Sequence, residues 1–416
     1  QQFPKLLAAR SNRVGGTNKT DRSLMTSAEK KIISPKASFE RPVLEGLVDA
    51  GFTDGNRVKL LWKGQDAFDA IFNAVAEAKT FVCIEFYIFR DDETGIELGN
   101  LIKQKAKEGV KVYLLYDHFG SFTTTKSFWS ELKEAGVELR ASRPFKWAAP
   151  FDYLIRDHKK LIIVDGVNAF TGGLNIANEY RGFKFRRRRK AWRDTAVLVK
   201  GPVVAALLEL FKKSWAAWGG GELHWECKAE VFSEGLPIIP IFASSSNGRK
   251  RMRKLLYYSI NSARESIYLT TAYFVPSRMM LRSLEEAVKR GVKVSLLVPG
   301  KSDVLAAYYA GRAFFSRLLK AGVEIYNYEG EILHAKTFLF DCCFSIVGSA
   351  NLDFQSLRRN DEGNVGILDN GFGRQMEEVF YEDLRSSIKL DIEEWSNRPY
   401  SARMLERLFA IFRRRL

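Results

Sequence analysis

Apolar residues form two alternating patterns along the chain: helical repeats with one apolar face, and short continuous apolar runs. In the first half these patterns predict, in order, a helix at 66–78, a strand at 81–89, a helix at 98–107 and a strand at 110–115. Gly109 directly follows the second helix, where a glycine commonly ends one. Strands that alternate with helices favour an α/β fold.

The second half repeats this order of elements. Its patterns predict a helix at 249–263, a strand at 266–271, a helix that ends at Gly291 and a strand at 292–297. A helix that closes on the same word, Ala-Gly-Val-Glu, follows in each half, at 135–138 and at 321–324. A repeat of this length predicts two related α/β domains, each a mixed sheet flanked by helices.

The predicted boundaries follow from this repeat and from glycine-rich and serine-rich segments near the middle of the chain. We predict an N-terminal extension at 1–42, a first domain at 43–220, a linker at 221–236, a second domain at 237–398 and a C-terminal helix at 399–416. The extension is polar and basic, and we expect it to be flexible. The chain does not start with Met, which suggests that it is trimmed or partial.

One short motif occurs twice, 176 residues apart. The first copy consists of His158, Lys160, Asp165, Gly172 and Asn175. The second copy has the same spacing and consists of His334, Lys336, Asp341, Gly348 and Asn351. A single histidine is more often structural than catalytic, but repetition in register reverses that expectation. His118 and His224 have no repeat partner, and we interpret them as ordinary histidines, although His118 follows a strand end and has a possible substrate-lining role.

The motif residues suit chemistry on a phosphate. A strand points alternate side chains to one face, so each His and its Lys should project together. An imidazole can attack phosphorus while an ammonium neutralises the oxygens, and Asn175 and Asn351 can add hydrogen bonds to those oxygens. One histidine cannot be both nucleophile and leaving-group acid in one step. Two copies supply both roles if the halves face each other across a pseudo-two-fold axis.

Composition narrows the choice of partner. The net charge of +16 indicates an anionic one: nucleic acid, an anionic membrane or a phosphorylated substrate. The four cysteines lack metal-ligand spacing and suggest no disulfide framework, so a reducing compartment is expected. No window approaches the length of apolar sequence that spans a bilayer, so any membrane contact should be peripheral.

Three segments could contact an anionic lipid surface. Residues 181–193 form an insertion with eight basic residues and interleaved aromatics, which favours a clamp on lipid headgroups but also suits nucleic-acid stacking. Residues 145–151 are unusually apolar for a loop. Residues 401–416 place five apolar residues on one helical face among arginines, which is typical of an interfacial helix and equally of a helix docked on the core.

The longer sequence segments around both motifs resemble those of the phospholipase D superfamily, and most closely those of bacterial cardiolipin synthases. In the first half these are RDHKK at 156–160, FTGGLN at 170–175 and WRDT at 192–195. In the second half they are TAYFVP at 271–276, HAKT at 334–337 and VGSANLD at 347–353. The similarity covers about residues 55–395 and lacks the long N-terminal membrane helices of some members, so the chain resembles the short, peripheral type.

The resemblance implies two tandem phospholipase D-like domains related by pseudo-two-fold symmetry, and a phosphatidyl transfer that needs no metal or other cofactor. His158 would attack the lipid phosphodiester, and His334 would act as the acid and base. Lys160 and Lys336 would hold the phosphate. Asp165 and Asp341 belong to the catalytic motif, but the family pattern makes them more structural than catalytic. A departure from the pattern is the pair Cys342-Cys343 after Asp341, where the local turn could differ.

Each catalytic histidine also needs an orienting acceptor for its other ring nitrogen. Glu362 is the candidate acceptor for His334 and Asp194 the candidate for His158, at offsets of 28 and 36 residues. An alternative is that both are solvated carboxylates at strand ends.

The favoured function is synthesis of cardiolipin and glycerol from two phosphatidylglycerols through a phosphohistidine. The expected partners are phosphatidylglycerol, other anionic phospholipids and a membrane surface, with no obligatory nucleic acid; the expected location is the cytoplasmic face of the bacterial inner membrane. A hydrolytic phospholipase D, or a transferase with another donor or acceptor such as phosphatidylethanolamine, stays open. A nuclease of the same superfamily and a basic binding protein that has lost catalysis are less favoured.

Overall fold

The computed structural model describes residues 39–145, 155–182, 191–227 and 229–412, and these residues belong to one compact unit. The strands of the first half are β1 Thr53–Leu61, β2 Phe81–Phe86, β3 Lys111–Asp117, β4 Glu138–Ser142, β5 Lys160–Val164, β6 Asn168–Gly172 and β7 Ala196–Lys200. Its helices are α1 Arg41–Val48, α2 Gly64–Ala76, α3 Glu93–Lys107, α4 Lys126–Glu134, α5 Asn178–Arg181 and α6 Val203–Ala217.

The second half follows the same plan with additions at its end. Its strands are β8 Leu236–Phe242, β9 Ser266–Thr270, β10 Lys293–Pro299, β11 Glu324–Tyr328, β12 Thr337–Phe340, β13 Phe344–Gly348, β14 Gly363–Leu368 and β15 Ser387–Lys389. Its helices are α7 Ser246–Ser262, α8 Arg278–Lys289, α9 Leu305–Arg312, α10 Phe315–Lys320, α11 Phe354–Arg358, α12 Asn370–Leu384, α13 Ile392–Ser396 and α14 Tyr400–Ile411.

One mixed sheet of 15 strands runs through both halves, in the order β15-β11-β10-β9-β12-β13-β14-β8-β1-β7-β6-β5-β2-β3-β4. Apart from β15, the order reads the same from both ends: β11 corresponds to β4, β12 to β5 and β8 to β1. The halves join where β1 and β8 pair antiparallel, with Thr53 opposite Ile238 and Asn56 opposite Leu236. This order confirms the predicted mixed α/β fold.

The apolar core lies in layers on both faces of the sheet. On one face, α6 and α12 cover a single cluster that takes residues from both halves, such as Leu161, Val197, Leu333 and Val365. On the other face there are two clusters, one under α2, α3 and α4 of the first half and one under α7, α8 and α10 of the second, which also takes Leu44 of α1 and Phe39 before it. The shared layer means that neither half closes its core alone, and the boundaries 43–220 and 237–398 stay predictions.

The predicted elements are present, with shifted ends. The strand predicted at 81–89 ends at Phe86, because the chain after it turns into the site described below. The helix predicted at 98–107 begins at Glu93, where the Asp92 side chain accepts a hydrogen bond from Gly95 N and caps it. The helix predicted at 399–416 spans Tyr400–Ile411, and residues 413–416 lie outside the described residues. None of the helices described is both long and apolar enough to cross a bilayer.

Candidate active site

The two motif histidines lie directly before β5 and β12, strands whose residues are all buried. The backbone before each histidine pairs with the other half of the molecule: His158 N donates to Asp361 O at 2.8 Å, and His334 N donates to Arg193 O at 2.8 Å. Both imidazoles are almost fully buried. At each motif, therefore, a short backbone segment of one half forms hydrogen bonds with a segment of the other half.

These hydrogen bonds decide which carboxylate orients which histidine. His158 Nδ1 lies 3.0 Å from Glu362 Oε2, and His334 Nδ1 lies 2.6 Å from Asp194 Oδ2. The predicted residues are thus the partners, but the predicted pairing is wrong, because each carboxylate crosses to the histidine of the opposite half. The alternative of solvated carboxylates is also wrong, since both carboxyl groups are buried.

The two carboxylates differ in their proton affinity. Burial raises the pKa of Glu362 to about 7. Burial also opposes ionisation of Asp194, but the positive charges of Lys336 and His334 outweigh it and lower the pKa of Asp194. The immediate neighbours differ as well. Ser349 Oγ donates to Glu362 Oε2 at 2.5 Å, whereas the matching residue, Gly173, has no room for a side chain, because a Cβ there would lie 2.1 Å from Asp194 Oδ1.

The two histidines also differ in their pKa values. Burial, followed by the positive charges of Lys160 and Lys336, lowers the pKa of His158 well below its usual range. Burial and Lys336 also lower the pKa of His334, but the Asp194 carboxylate opposes the shift. His158 is thereby held as a neutral imidazole that donates from Nδ1 and keeps the lone pair of Nε2. The pKa of His334 is also below its usual value, but the Asp194 carboxylate makes His334 the more readily protonated of the two histidines.

Lys160 and Lys336 are both buried beside the histidines. Lys160 Nζ donates to His158 O at 2.6 Å, and Lys336 Nζ donates to His334 O and lies 2.6 Å from His334 Nδ1. Burial lowers the pKa of Lys160 well below its usual value and that of Lys336 to about 8. An anionic phosphate in the site would oppose both shifts and favour the charged ammonium groups.

The two asparagines hold the loops that follow β6 and β13. Asn175 Oδ1 accepts from Ile88 N at 3.3 Å, and Asn351 Oδ1 accepts from Tyr273 N at 3.3 Å. Asn175 Nδ2 also donates to Tyr180 Oη at 2.7 Å. Both asparagines are buried, and their hydrogen bonds join the loops after β6 and β13 to the segments after β2 and β9. Contact with a phosphate stays a prediction for both.

Asp165 and Asp341 lie at the opposite ends of β5 and β12 from the histidines. Asp165 accepts hydrogen bonds from the backbone N–H groups of residues 79–81, and Asp341 accepts from those of residues 264–266. Both therefore fix the starts of β2 and β9. Their assignment to the catalytic set does not fit this position, whereas the structural role implied by the resemblance does.

The turn after Asp341 is the same in both copies despite Cys342. Asp165 and Gly166 have φ values of 52° and 66°, and Asp341 and Cys342 have φ values of 50° and 46°. Cys342 thus adopts a left-handed conformation that glycine adopts more readily. The departure from the family pattern does not alter the local turn.

A comparison with family models places this site in a known family. The model described as "Cardiolipin synthase, PLD-like domain" matches residues 71–215 and 256–384, which include both motifs and both crossed carboxylates. The chain belongs to the cardiolipin synthase family. This family consists of phosphatidyltransferases within the phospholipase D superfamily.

Curated cardiolipin synthases are similar to the chain over most of its length. Cardiolipin synthase 2 of Bacillus anthracis is 35% identical over 363 residues, which cover 85% of this chain and 69% of that protein. Cardiolipin synthase A of Pseudomonas syringae is 35% identical over 341 residues, covering 82% and 71%. The cardiolipin synthase of Geobacillus kaustophilus is 33% identical over 386 residues, covering 89% and 75%.

Solved structures with lower identity share the fold alone. A phosphatidylserine synthase of Haemophilus influenzae superposes with a TM-score of 0.70 at 14% identity, over 92% of this chain and 100% of that one. A polyphosphate kinase of Porphyromonas gingivalis superposes with a TM-score of 0.56 at 12% identity, over 95% and 57%. The fold of this chain is thus shared by proteins outside the cardiolipin synthase family.

Aromatic residues that line the histidines were missed by sequence reasoning. The Tyr87 ring packs edge-on against His158 with centroids 4.9 Å apart, and Tyr180 packs edge-on against His334 at 5.2 Å. Trp192 and Tyr273 also face His334, at 5.8 and 6.3 Å. Trp192 and Tyr273 lie within words that the cardiolipin synthase resemblance had already marked, which was the available signal.

Buried charges that brace the motif segments were also missed. Lys159 Nζ lies 2.6 Å from Glu85 Oε1 and donates to Ser214 Oγ at 2.9 Å. Arg193 forms a two-pronged pair with Asp383, with distances of 2.6 and 2.8 Å, and so anchors the segment that carries Asp194. A lysine or arginine inside a charged word gives no sign in the sequence that it is buried.

Some sequence predictions receive no support or lie outside the described part of the chain. His224 is exposed on the segment before β8. Beside His118, the Asp117 carboxylate accepts a hydrogen bond from Asp157 N at 2.8 Å. The interpretation of both histidines, and the substrate-lining role of His118, stay predictions. Most of the basic insertion, 183–190, and of the apolar loop, 146–151, falls outside the described residues. Within the described residues, no group of three or more histidine, cysteine, aspartate or glutamate side chains is arranged to hold a metal ion.

Proposed function

We propose that the protein transfers a phosphatidyl group from one phosphatidylglycerol to another and releases cardiolipin and glycerol. One observation carries this proposal: two buried histidines, each hydrogen-bonded through Nδ1 to a carboxylate of the opposite half, lie beside two buried lysines. This arrangement provides a nucleophile, a proton donor and cations for a phosphate in one site. The cardiolipin synthase relatives support lipid as the substrate class.

In the first step, Nε2 of His158 attacks the phosphorus of the donor lipid. The bond between phosphorus and the headgroup glycerol oxygen breaks, and His334 gives its proton to that oxygen as glycerol leaves. The phosphatidyl group is then bonded to His158. Lys160 and Lys336 would stabilise the negative charge on the non-bridging oxygens during this step.

In the second step, the now neutral His334 takes a proton from the glycerol hydroxyl of a second phosphatidylglycerol. The hydroxyl oxygen bonds to phosphorus, the bond between phosphorus and His158 breaks, and cardiolipin leaves. Both histidines return to their starting protonation states. The assignment of His158 as nucleophile rests on the lowered pKa of His158 and on the ionised Asp194 beside His334.

Membrane attachment belongs to the same proposal. We infer that the protein binds the anionic cytoplasmic face of a bacterial inner membrane, because its net charge is +16 and its α14 helix turns apolar side chains outward. Met404, Leu408 and Ile411 on this helix are 55%, 52% and 74% exposed. An apolar helix face surrounded by arginines suits the interface of an anionic bilayer.

The test is incubation with labelled phosphatidylglycerol in mixed micelles, followed by separation of the products. We expect cardiolipin and free glycerol from the parent protein, and loss of turnover in His158→Ala and His334→Ala. His224→Ala removes an exposed histidine and serves as the matched control, with turnover retained. Phosphatidic acid as the sole lipid product would show hydrolysis instead. Turnover that survives in both motif variants would refute the mechanism.

A further inference from the structure

A basic groove of about 870 Å³ opens on the second half, between α7, the start of α8 and α11. Five cationic side chains line it: Lys250, Arg253, Lys254, Arg278 and Arg358. Apolar side chains, among them Met279, Phe354 and Leu357, also line it. No step of the phosphatidyl transfer described above uses these residues.

The groove borders the active site. Asp353, at its inner side, follows Asn351 by two residues and caps α11 by accepting from Ser356 N at 2.7 Å. Asp353 also interacts electrostatically with Lys336 and Glu362 within the site, and its burial raises its pKa to about 7. Val275, another lining residue, belongs to the small apolar cluster against which Tyr273, a wall of the site, packs. A molecule in the groove therefore lies next to the reacting groups.

The corresponding place in the first half differs within the described residues. There α5 corresponds to α11, since Asn178 and Phe354 are 176 residues apart, which is also the spacing of the motifs. Arg181 on α5 is buried and pairs with Glu97 on α3 at 2.8 Å. Arg90 pairs with Glu179 at 2.5 Å. Among the described residues, these ion pairs place carboxylates beside the cations of the first half, whereas the cations of the groove line an open space.

The composition of the groove identifies its occupant as an anionic amphiphile. Five cations face one carboxylate, Asp353, and that carboxylate is engaged by its own helix. Cations attract a phosphate, and exposed apolar groups such as Met279, which is 59% exposed, suit an acyl chain. The second substrate of the proposed reaction is an anionic lipid, and its phosphate repels the one already held by Lys160 and Lys336. It therefore needs cations of its own.

We propose that this groove binds the phosphate of the acceptor phosphatidylglycerol and presents its glycerol hydroxyl to the phosphatidyl group on His158. This inference rests on the proposed function. It assigns the two lipids to different cations: the donor phosphate to the motif lysines, the acceptor phosphate to the groove. A small alcohol that replaces the acceptor lipid has no phosphate and does not need the groove.

That difference provides the test. The variant Lys250→Gln/Lys254→Gln/Arg278→Gln removes three exposed cations of the groove. Two rates are measured in mixed micelles of phosphatidylglycerol and neutral detergent: cardiolipin formation, and exchange of free labelled glycerol into phosphatidylglycerol, which uses the same phosphohistidine without an acceptor lipid. We expect the ratio of cardiolipin formation to glycerol exchange to fall by about tenfold or more, since each basic group near an anionic lipid contributes appreciably to its binding.

The matched control removes equal charge from α3 and α4 of the first half through Lys107→Gln/Lys126→Gln/Lys133→Gln, all exposed residues. Its ratio should equal that of the parent. Should the groove triple variant fail to fold, Arg278→Gln alone is measured in the same way, with a fall of about threefold expected.

An unchanged ratio in a folded groove variant would overturn the inference. Equal loss of both rates would also overturn it, because the groove would then hold the donor lipid. Absence of cardiolipin formation in the parent protein, with glycerol exchange or hydrolysis present, would instead refute the proposed function. Failure of the groove inference and failure of the proposed function are thus distinguished, because only the second is seen in the parent protein.

Discussion

Glu362 and Asp194 hold equivalent places in the two halves, yet they differ by one methylene and by the direction in which their pKa values are shifted. Glu362 accepts from Ser349, and burial raises its pKa to about 7. Asp194 lies close to Lys336 and His334, whose charges keep its pKa low. In the proposed mechanism, this difference suits one half to nucleophilic attack and the other to proton transfer. The difference arises from neighbours outside the motif.

The protonation of Glu362 and Lys336 predicts the pH dependence of turnover. As the pH falls below about 7, Glu362 gains a proton and no longer fixes the His158 tautomer as a carboxylate, so kcat/KM should fall. As the pH rises above about 8, Lys336 loses its proton and binds phosphate less well, so kcat/KM should fall again. The expected profile is a bell between these values. It is measured with labelled phosphatidylglycerol in mixed micelles.

Glu362→Gln and Asp194→Asn separate the two carboxylates. Glu362→Gln should lower kcat by about 10⁴ and remove the acidic limb, because the remaining amide does not titrate. Asp194→Asn should lower kcat as well but keep the acidic limb, because Glu362 is still present. Identical profiles for both variants would show that the crossed pairs do not set the pH dependence.

At the scale of elements, α14 shows how far a sequence pattern can be interpreted. Its apolar stripe could be seen in the sequence, but a stripe has the same spacing whether it faces the core or the solvent. The structure resolves this through Glu406, which is buried, pairs with Arg398 just before α14 at 2.6 Å and lies 3.5 Å from Arg312 of α9. Phe409 stacks on Tyr309 of α9 at 5.8 Å. The helix thus docks through an ion pair and one ring, and its stripe faces outward.

This orientation predicts that α14 contributes to membrane binding and little to stability. The variant Met404→Ser/Leu408→Ser/Ile411→Ser should weaken binding to phosphatidylglycerol vesicles by about tenfold or more, because it removes most of the exposed apolar stripe. The temperature of unfolding should stay close to that of the parent, because these side chains are exposed. Vesicle sedimentation measures the binding, and calorimetry measures the unfolding.

The control for α14 is an equal loss of apolar surface elsewhere. Ile96, Val231 and Ile388 are 45%, 70% and 58% exposed and lie outside α14. Replacement of all three by serine should leave vesicle binding unchanged. If the control weakens binding as much as the α14 variant does, the attachment is a general effect of surface hydrophobicity.

At the scale of the whole molecule, the repeat predicted the strands, the helices and the four motif side chains that meet in the site. It did not predict the pairing of Glu362 with His158, because offsets counted along the chain favour partners within one half. Only the hydrogen bonds between the halves at Asp361 and Arg193 bring each carboxylate to the opposite histidine. The burial of Lys159 and Arg193 was hidden for a similar reason, since their partners Glu85 and Asp383 are distant in sequence.

The junction between the halves predicts how the protein unfolds. Asn56 is buried on β1, where its Nδ2 donates to Leu236 O of β8 at 3.0 Å and its Oδ1 accepts from Val203 N at 2.8 Å. The core layer under α6 and α12 also takes side chains from both halves. We therefore expect one thermal transition, with equal calorimetric and van't Hoff enthalpies, and loss of turnover in the same interval.

Asn56→Ala tests whether this junction couples the halves. The change leaves the backbone groups at Leu236 and Val203 without their buried partner, so the free energy of unfolding should fall by about 2 kcal/mol. If the halves unfold together, the single transition moves as a whole to lower temperature, and turnover is lost with it, because each histidine depends on a carboxylate from across the junction. Two resolved transitions, of which only one moves, would show instead that the halves are independent domains that merely share a sheet edge.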